Sequence, residues 1–158
     1  MKKFLILLSL FTLHLSLLTS NAQNVEKVYE EAKALYEAKN YTAALPKLKT
    51  AAEKGKKGAM YRLARCYDKG HGVTENNAEA VKWYTKAASQ GHAKSQYQLG
   101  KAYLLGKKGL AADQKKAKSL LTKAIKNDKD GPKILAKIRK EAAAGDEDAK
   151  AILKFLGK

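Results

Sequence analysis

Apolar residues recur along most of the chain at intervals of three and four, separated by lysines, glutamates and other polar residues. Leu63, Ala64 and Tyr67 follow this spacing between residues 59 and 69, and Ala80 and Tyr84 follow it in the next segment. Because residues three or four apart share one face of a helix, each segment predicts an amphipathic α-helix with one buried face. The scarcity of β-branched residues and the presence of only 2 prolines also favour helix.

This helix pair is repeated. The segment AMYRLARCYDKG, which starts at Ala59, aligns with SQYQLGKAYLLG, which starts at Ser95, at an offset of 36 residues. The following segments, GHGVTENNAEAVKWYTKAA and KKGLAADQKKAKSLLTKAI, align at an offset of 37. One residue has therefore been inserted in the turn between Gly106 and Gly109. A turn tolerates an insertion, whereas a helix would lose the alignment of its apolar face.

Repeats of this length predict an all-α fold, an α-solenoid of antiparallel helix pairs with about three to four units. We place the units at about residues 24–56, 57–92, 93–130 and 131–158. The first unit matches through NYTAALPKLKTAAEKG, preceded by Val28, Ala32 and Leu35 at helical spacing. The last unit is degenerate, as expected for a terminal repeat that faces water on one side.

Polar residues mark where the helices should begin. Asn76 followed by Glu79 predicts a capping box, and Asp113 and Thr42 are candidate caps of two other helices. With Thr42 as a cap, Pro46 would fall in the first turn, where its missing N–H costs little.

The stretch AMYRLARCYDKGHGVTENNAEAVKWYTKAASQGHA resembles the Sel-one-like repeat, a relative of the tetratricopeptide repeat. Twelve residues match the family pattern: Leu63, Tyr67, Gly70, Gly72, Val73, Ala80, Trp83, Tyr84, Lys86, Ala87, Ala88 and Gly91. Ala64 stands where glycine is usual, and Leu120 and Leu121 replace the usual Trp-Tyr pair in the next unit. The resemblance is strong over residues 57–126 and moderate over 25–56. It implies that the α-solenoid is right-handed and that Gly70 and Gly72 form the turn within one unit.

Members of this family are typically adaptors that hold other proteins together, so the resemblance implies a non-enzymatic scaffold that binds a protein partner. On the first helix of each unit, an aromatic residue is followed four positions later by a cation. These candidate binding residues are Tyr29 and Lys33, Tyr61 and Arg65, and Tyr97 and Lys101. In tetratricopeptide-type units the corresponding positions line the concave groove. Tyrosine supplies apolar area and a cation pairs with carboxylates, so such a ladder suits an acidic peptide. The alternative is that the tyrosines fill gaps between units while the cations are simply solvated.

The charge of the chain adds a second function class. There are 32 Lys and Arg residues against 15 Asp and Glu residues, a formal net charge of +17. A surface this basic attracts polyanions in a salt-dependent way. The protein could therefore be a charge-driven binder of envelope polyanions or nucleic acid, or its lysines could serve only to keep the helices soluble.

The N-terminus predicts export. Lys2 and Lys3 precede an apolar run of 15 residues from Phe4 to Leu18, and a small polar segment ends at Ala22. This is the pattern of a secretory signal peptide over residues 1–22, which leaves a mature chain of 23–158 that is periplasmic or secreted. The run is shorter than the roughly 20 residues that span a bilayer, although an uncleaved membrane anchor is the alternative interpretation.

Candidate chemistry is sparse. Cys66 is the only cysteine, and a buried, inert thiol is favoured over a reactive one. His71 and His92 accompany no cysteine pair or carboxylate cluster at metal-ligand spacing. No nucleophile elbow, phosphate-binding glycine loop or zinc-protease helix is present. We therefore predict no catalytic residue, no metal, no cofactor and no small-molecule substrate.

Overall fold

The structure is a computed structural model that describes residues 22–158. The predicted leader, residues 1–22, lies outside the described residues except for Ala22, which is helical. Eight helices and no strand are found within residues 22–158. In chain order they are α1 (22–37), α2 (Tyr41–Glu53), α3 (Lys57–Lys69), α4 (Asn77–Ser89), α5 (Ala93–Leu105), α6 (Gln114–Ile125), α7 (Gly131–Ala143) and α8 (Glu147–Leu156).

The helices form antiparallel pairs that stack one after another. The most extensive contacts lie within the pairs α3–α4 and α5–α6, and further contacts join α2 to α3 and α4 to α5. The contact between α6 and α7 is sparser, and α8 folds back to touch both α5 and α6. The all-α solenoid predicted from the repeat is therefore confirmed.

The core consists of two clusters along the stack. The larger cluster contains the fully buried Leu48, Leu63 and Tyr84, surrounded by alanines that let neighbouring helices approach closely. The second cluster lies towards the C-terminus and includes Leu121 and Ile138. Cys66 is buried in the first cluster, and burial raises the pKa of its thiol to about 11. A thiol of this kind carries almost no thiolate at neutral pH and is a poor nucleophile.

Helices α5 and α6 approach each other closely at Gly100. A Cβ atom added to Gly100 would lie 2.7 Å from the Cγ atom of Leu121 and 3.1 Å from its backbone nitrogen. The equivalent residue in the preceding unit is Ala64, which is fully buried. The glycine at position 100 is therefore required by packing against Leu121.

Two of the predicted helix caps are confirmed. The Asn76 side chain accepts a hydrogen bond from the backbone N–H of Glu79 at 3.0 Å, and Asp113 accepts one from the N–H of Lys116 at 2.9 Å. The reciprocal half of the capping box does not form. The N–H of Asn76 donates to the Tyr67 carbonyl instead, and the Glu79 carboxylate pairs with Lys82.

The predicted cap at Thr42 is wrong. Asn40 precedes the first residue of α2, and its side chain accepts from the N–H of Ala43 at 3.4 Å. Asparagine is a stronger N-cap than threonine, which explains the earlier start. Pro46 consequently lies inside α2, beyond the first turn, where it removes one backbone hydrogen bond.

The turn between α3 and α4 uses both glycines that the repeat pattern singled out. Gly70 has φ +64° and ends α3, and Gly72 has φ +70°. A Cβ atom on Gly72 would also lie 2.9 Å from the backbone carbonyl carbon of Tyr41. The turn therefore needs glycine for its backbone angles and, at Gly72, for close contact with α2.

Candidate functional site

A cleft of about 490 Å³ opens along α3, α5 and α7, the first helices of three consecutive pairs. Tyr61 and Arg65 of α3 line it together with Tyr97 and Lys101 of α5. Its other charged lining residues are Asp68, Lys69, Lys107, Lys108, Lys137, Glu141 and Asp148. We call this site the basic cleft.

The structure brings four of the six predicted binding residues into the basic cleft and leaves Tyr29 and Lys33 outside its lining. The hydroxyl of Tyr29 accepts a hydrogen bond from Nη1 of Arg62 at 2.8 Å. Lys33 pairs with Glu30 of its own helix at 2.8 Å. Arg62 also reaches Glu37 at 3.0 Å, so its side chain spans the space between α1 and α3. Gln98 is the residue of the next repeat that corresponds to Arg62, and this shorter side chain lines the cleft.

The basic cleft carries an excess of positive charge. Six cations line it against three carboxylates, a formal excess of three. Asp148, in the first turn of α8, pairs with both Lys101 at 3.2 Å and Lys107 at 2.6 Å. Hydrogen bonds from the Lys107 ammonium and then from Lys101 hold the pKa of Asp148 below its usual value. One end of the cleft is thus already occupied by a carboxylate of the chain itself.

A buried ion pair lies at the base of the cleft. Asp68 of α3 is only 6% exposed, and it pairs with the ammonium of Lys108 from the turn between α5 and α6. The hydroxyl of Tyr84 donates to the other carboxylate oxygen of Asp68 at 3.4 Å. Lys108 adopts φ +62°, and burial lowers its pKa. The contact joins two consecutive units.

Arg65 is half-buried beside Tyr36, Tyr61 and Tyr84. Among residues 22–158, no carboxylate oxygen lies within 4.0 Å of its guanidinium. Burial opposes the charge of Arg65, but these tyrosines favour it, and the pKa of Arg65 is raised. The cleft therefore contains a fully charged guanidinium without a carboxylate partner from the described part of the chain.

Seven charged residues of the cleft were not predicted from the sequence: Asp68, Lys69, Lys107, Lys108, Lys137, Glu141 and Asp148. Lys107 and Lys108 lie in the turn where the repeat gains one residue, and that insertion was a usable signal for an added feature. No periodic signal marks Asp148, because it reaches the cleft only when α8 folds back against α5.

His92 packs against Tyr61, one of the residues that line the cleft. It is the N-cap of α5, and its Nδ1 atom accepts a hydrogen bond from the N–H of Ser95 at 3.3 Å. Its ring lies 4.7 Å from the ring of Tyr61, centroid to centroid. Burial lowers the pKa of His92 to about 4. Protonation would remove the acceptor on Nδ1 and place a charge on a partly buried ring.

We expect acid to destabilise the fold through His92. Its folded-state pKa of about 4 lies below the ordinary value of 6.5, so its contribution is complete above pH 6.5 and is lost as the pH falls towards 4. The expected loss of unfolding free energy is about 2 kcal/mol, allowing for the partial exposure of the ring. Urea unfolding of the wild type at pH 7 and pH 4 measures it.

The matched control is His92→Asn, which keeps a side-chain acceptor at the N-cap but does not titrate. The variant should lose about 2 kcal/mol less than the wild type between the two pH values. An equal loss in both proteins would show that His92 does not cause the acid sensitivity.

Metal-binding clusters and membrane spans are both missing from residues 22–158. The described residues contain no group of three or more His, Cys, Asp or Glu side chains arranged to hold a metal ion. No helix in the same part of the chain combines the length and apolarity needed to cross a membrane.

The family model described as the Sel1 repeat matches residues 15–38, 58–92 and 93–129. The second and third matches cover α3–α4 and α5–α6, and so contain the cleft residues Tyr61, Arg65, Tyr97 and Lys101.

Two curated proteins are similar over part of the chain. Chitin synthase regulatory factor 2 of Schizosaccharomyces pombe is 33% identical over 88 residues, 55% of this chain and 17% of its own length. Protein SHC1 of Saccharomyces cerevisiae is 42% identical over 55 residues, 35% of this chain and 11% of its own length. The chain therefore spans less than a fifth of either relative.

Two solved structures share the fold. A Sel1 repeat protein from Oxalobacter formigenes superposes with a TM-score of 0.59 at 30% identity, covering 77% of this chain and 56% of that one. A protective antigen of uropathogenic Escherichia coli with an SLR fold superposes with a TM-score of 0.62 at 24% identity, covering 87% of this chain and 35% of that one.

Proposed function

Because the chain belongs to the Sel1 repeat family, we propose that it is an exported, non-enzymatic adaptor that binds a protein partner through the basic cleft. Sel1 repeats form helical scaffolds that typically mediate protein–protein interaction. One of the similar fungal proteins is named a regulatory factor, which fits a scaffold role.

One observation carries the proposal. Two consecutive aromatic–cation pairs, Tyr61 with Arg65 and Tyr97 with Lys101, line a single cleft at equivalent positions of neighbouring repeats. A repeated arrangement of this kind presents the same chemistry at regular intervals, which suits an extended segment of a partner. Tyrosine and arginine are also enriched among the residues that dominate binding energy at interfaces.

Export is part of the proposal. The basic, apolar and small-residue segments of residues 1–22 support a cleaved leader, and the partner would then be an envelope or extracellular protein. Mass spectrometry of the protein recovered from its native cell would identify the N-terminus. A mature chain that begins near residue 23 agrees with a cleaved leader, and a chain that retains residues 1–22 contradicts cleavage.

The binding test uses the mature chain, residues 23–158, to capture proteins from the cell-envelope fraction at low and high salt. Reversing Arg65→Glu and Lys101→Glu together should weaken capture of a specific partner roughly 10- to 100-fold, since a charge-assisted contact of one carboxylate with Arg65 contributes about 1.5 to 3 kcal/mol and Lys101 is already paired with Asp148. The double variant should keep its helical circular dichroism, because both side chains are partly exposed.

The matched control is Lys115→Glu with Lys118→Glu. Both lysines are exposed on α6 and lie outside the basic cleft. Their replacement changes the net charge by the same amount as the cleft variant does. A protein that is retained at high salt by the control and lost by the cleft variant supports the adaptor. Equal retention by both variants contradicts binding through the cleft.

A charge-driven binder of envelope polyanions or nucleic acid is the second candidate, favoured by the net charge of +17. Such binding falls steeply with salt and depends on the number of cations rather than on their position. Equal weakening by the cleft and control variants, together with release of acidic material by salt, would favour this candidate.

A further inference from the structure

The basic cleft already contains one bound carboxylate, and the chain itself supplies it. Lys101 lies on α5, Lys107 follows that helix, and both pair with Asp148 of α8. α8 belongs to the last helix pair and reaches these lysines by folding back against α5 and α6. The geometry at Lys101 therefore shows how this position of the repeat receives a carboxylate.

Arg65 occupies the same position as Lys101, one repeat earlier. It lines the same cleft and lacks a carboxylate partner among the described residues. Its guanidinium is half-buried beside Tyr61. A partly desolvated guanidinium interacts more strongly with a carboxylate than an exposed lysine does, and its planar fork can donate two parallel hydrogen bonds.

We infer that the basic cleft binds an acidic peptide segment by placing one carboxylate on Arg65, and that Asp148 is an internal carboxylate in the equivalent place one repeat further on. The inference deepens the proposed function and rests on it. A partner residue that reaches Lys101 must compete with Asp148, so α8 limits the open part of the cleft to the end at Arg65.

The composition of the cleft favours an acidic peptide over a uniformly charged polyanion. Asp68, Glu141 and Asp148 each pair with a lysine of the lining, so the positive charge of the cleft is interrupted and does not match a ligand that is charged at every unit. Tyr61 and Tyr97 add apolar surface, which a peptide can use between its carboxylates. A segment with spaced Asp or Glu residues satisfies both features.

The test measures binding of a fluorescein-labelled peptide, Gly-Asp-Glu-Asp-Ala-Lys, which copies the sequence from residue 145 to residue 150. Its amide counterpart, Gly-Asn-Gln-Asn-Ala-Lys, carries the same label, and both peptides have an amidated C-terminus, so it is the matched probe without side-chain carboxylates. Inorganic polyphosphate is the polyanion probe. Fluorescence anisotropy with the mature chain should show binding of the acidic peptide and at least tenfold weaker binding of the amide peptide.

Three variants locate the site. Arg65→Gln should weaken binding of the acidic peptide at least tenfold. Lys118→Gln removes the same charge from the exposed face of α6 and should change it less than twofold. Asp148→Asn should strengthen binding several-fold, because it frees Lys101 and Lys107. Melting temperatures of the variants check that each remains folded.

Several results would overturn the inference: no binding of the acidic peptide to the wild type, equal effects of Arg65→Gln and Lys118→Gln, or weaker binding by Asp148→Asn. Tighter binding of polyphosphate than of peptide, with no dependence on Arg65, would assign the cleft to polyanions instead. If the peptide fails but an envelope protein is still lost by the cleft variant and kept by its control, only this inference falls. If both experiments fail, the adaptor function falls with it.

Discussion

Replacing Asp68 with alanine should lower the free energy of unfolding by about 3 to 5 kcal/mol, the cost typical of breaking a buried ion pair by removing one partner. The substitution leaves the ammonium of Lys108, whose side chain is only 20% exposed, without its carboxylate. It also removes the acceptor for the hydroxyl of Tyr84, a fully buried residue. Urea unfolding at neutral pH, followed by circular dichroism, measures the change.

Two further variants show what causes the loss of stability in Asp68→Ala. Asp68→Leu combined with Lys108→Met removes both charges and should recover part of the stability that Asp68→Ala loses, because no charge is then left buried and unpaired while the Tyr84 hydroxyl still lacks its acceptor. Glu75→Ala removes an exposed carboxylate and should change stability by less than about 0.5 kcal/mol. A loss as small as this for Asp68→Ala would mean that the pair does not join the two units.

Truncating Leu121 to alanine should lower the free energy of unfolding by about 3 kcal/mol, because the side chain is fully buried between α5 and α6. Adding a methyl group at the facing position, with Gly100→Ala, should also destabilise the protein. The new Cβ atom would overlap Leu121, and the cost of about 1 to 3 kcal/mol exceeds the gain in helix propensity.

The unfolding free energy of the double variant decides whether Gly100 and Leu121 are in contact. In Gly100→Ala with Leu121→Ala, the added methyl group enters space that the leucine has left, so the combined loss should be smaller than the sum by at least about 1 kcal/mol. Ala64→Gly, at the equivalent site of the preceding unit, tests the reverse change and should cost about 1 kcal/mol. Strict additivity of the two single effects would contradict the contact between Gly100 and Leu121.

The fold could be predicted from the sequence because its signals are local and repeated. Helical periodicity and the offset of 36 residues identify the pairs α3–α4 and α5–α6 without knowledge of long-range contacts. The caps at Asn76 and Asp113 follow from chemistry within one turn. The error at Thr42 also arose locally, since Asn40 lies two positions earlier and is a competing cap.

The basic cleft could be predicted only in part. The repeat placed Tyr61, Arg65, Tyr97 and Lys101 on equivalent helix faces, and the structure brings these four together. Tyr29 lies outside the cleft lining and accepts a hydrogen bond from Arg62, whose long side chain reaches α1. A repeat pattern does not predict a contact of this kind.

The cleft residues that come from α8 and from the turns were harder still to predict from the sequence. Asp148 contacts Lys107 across 41 positions of sequence, in a terminal unit that matches the repeat weakly. Lys108 lies in the turn that contains the inserted residue and pairs with Asp68 of the preceding unit. Both contacts depend on how units pack, whereas the periodic pattern reports only how each helix is built.

The order of contacts along the stack has a consequence for synthesis. Most helices pack against the helix made immediately before them, so a growing chain can bury α3 against α4, and then α5 against α6, without waiting for later residues. The contact of Asp148 with Lys101 is different, because it needs the last helix. During translation, Lys101 is therefore in place before Asp148, the residue that pairs with it in the complete chain.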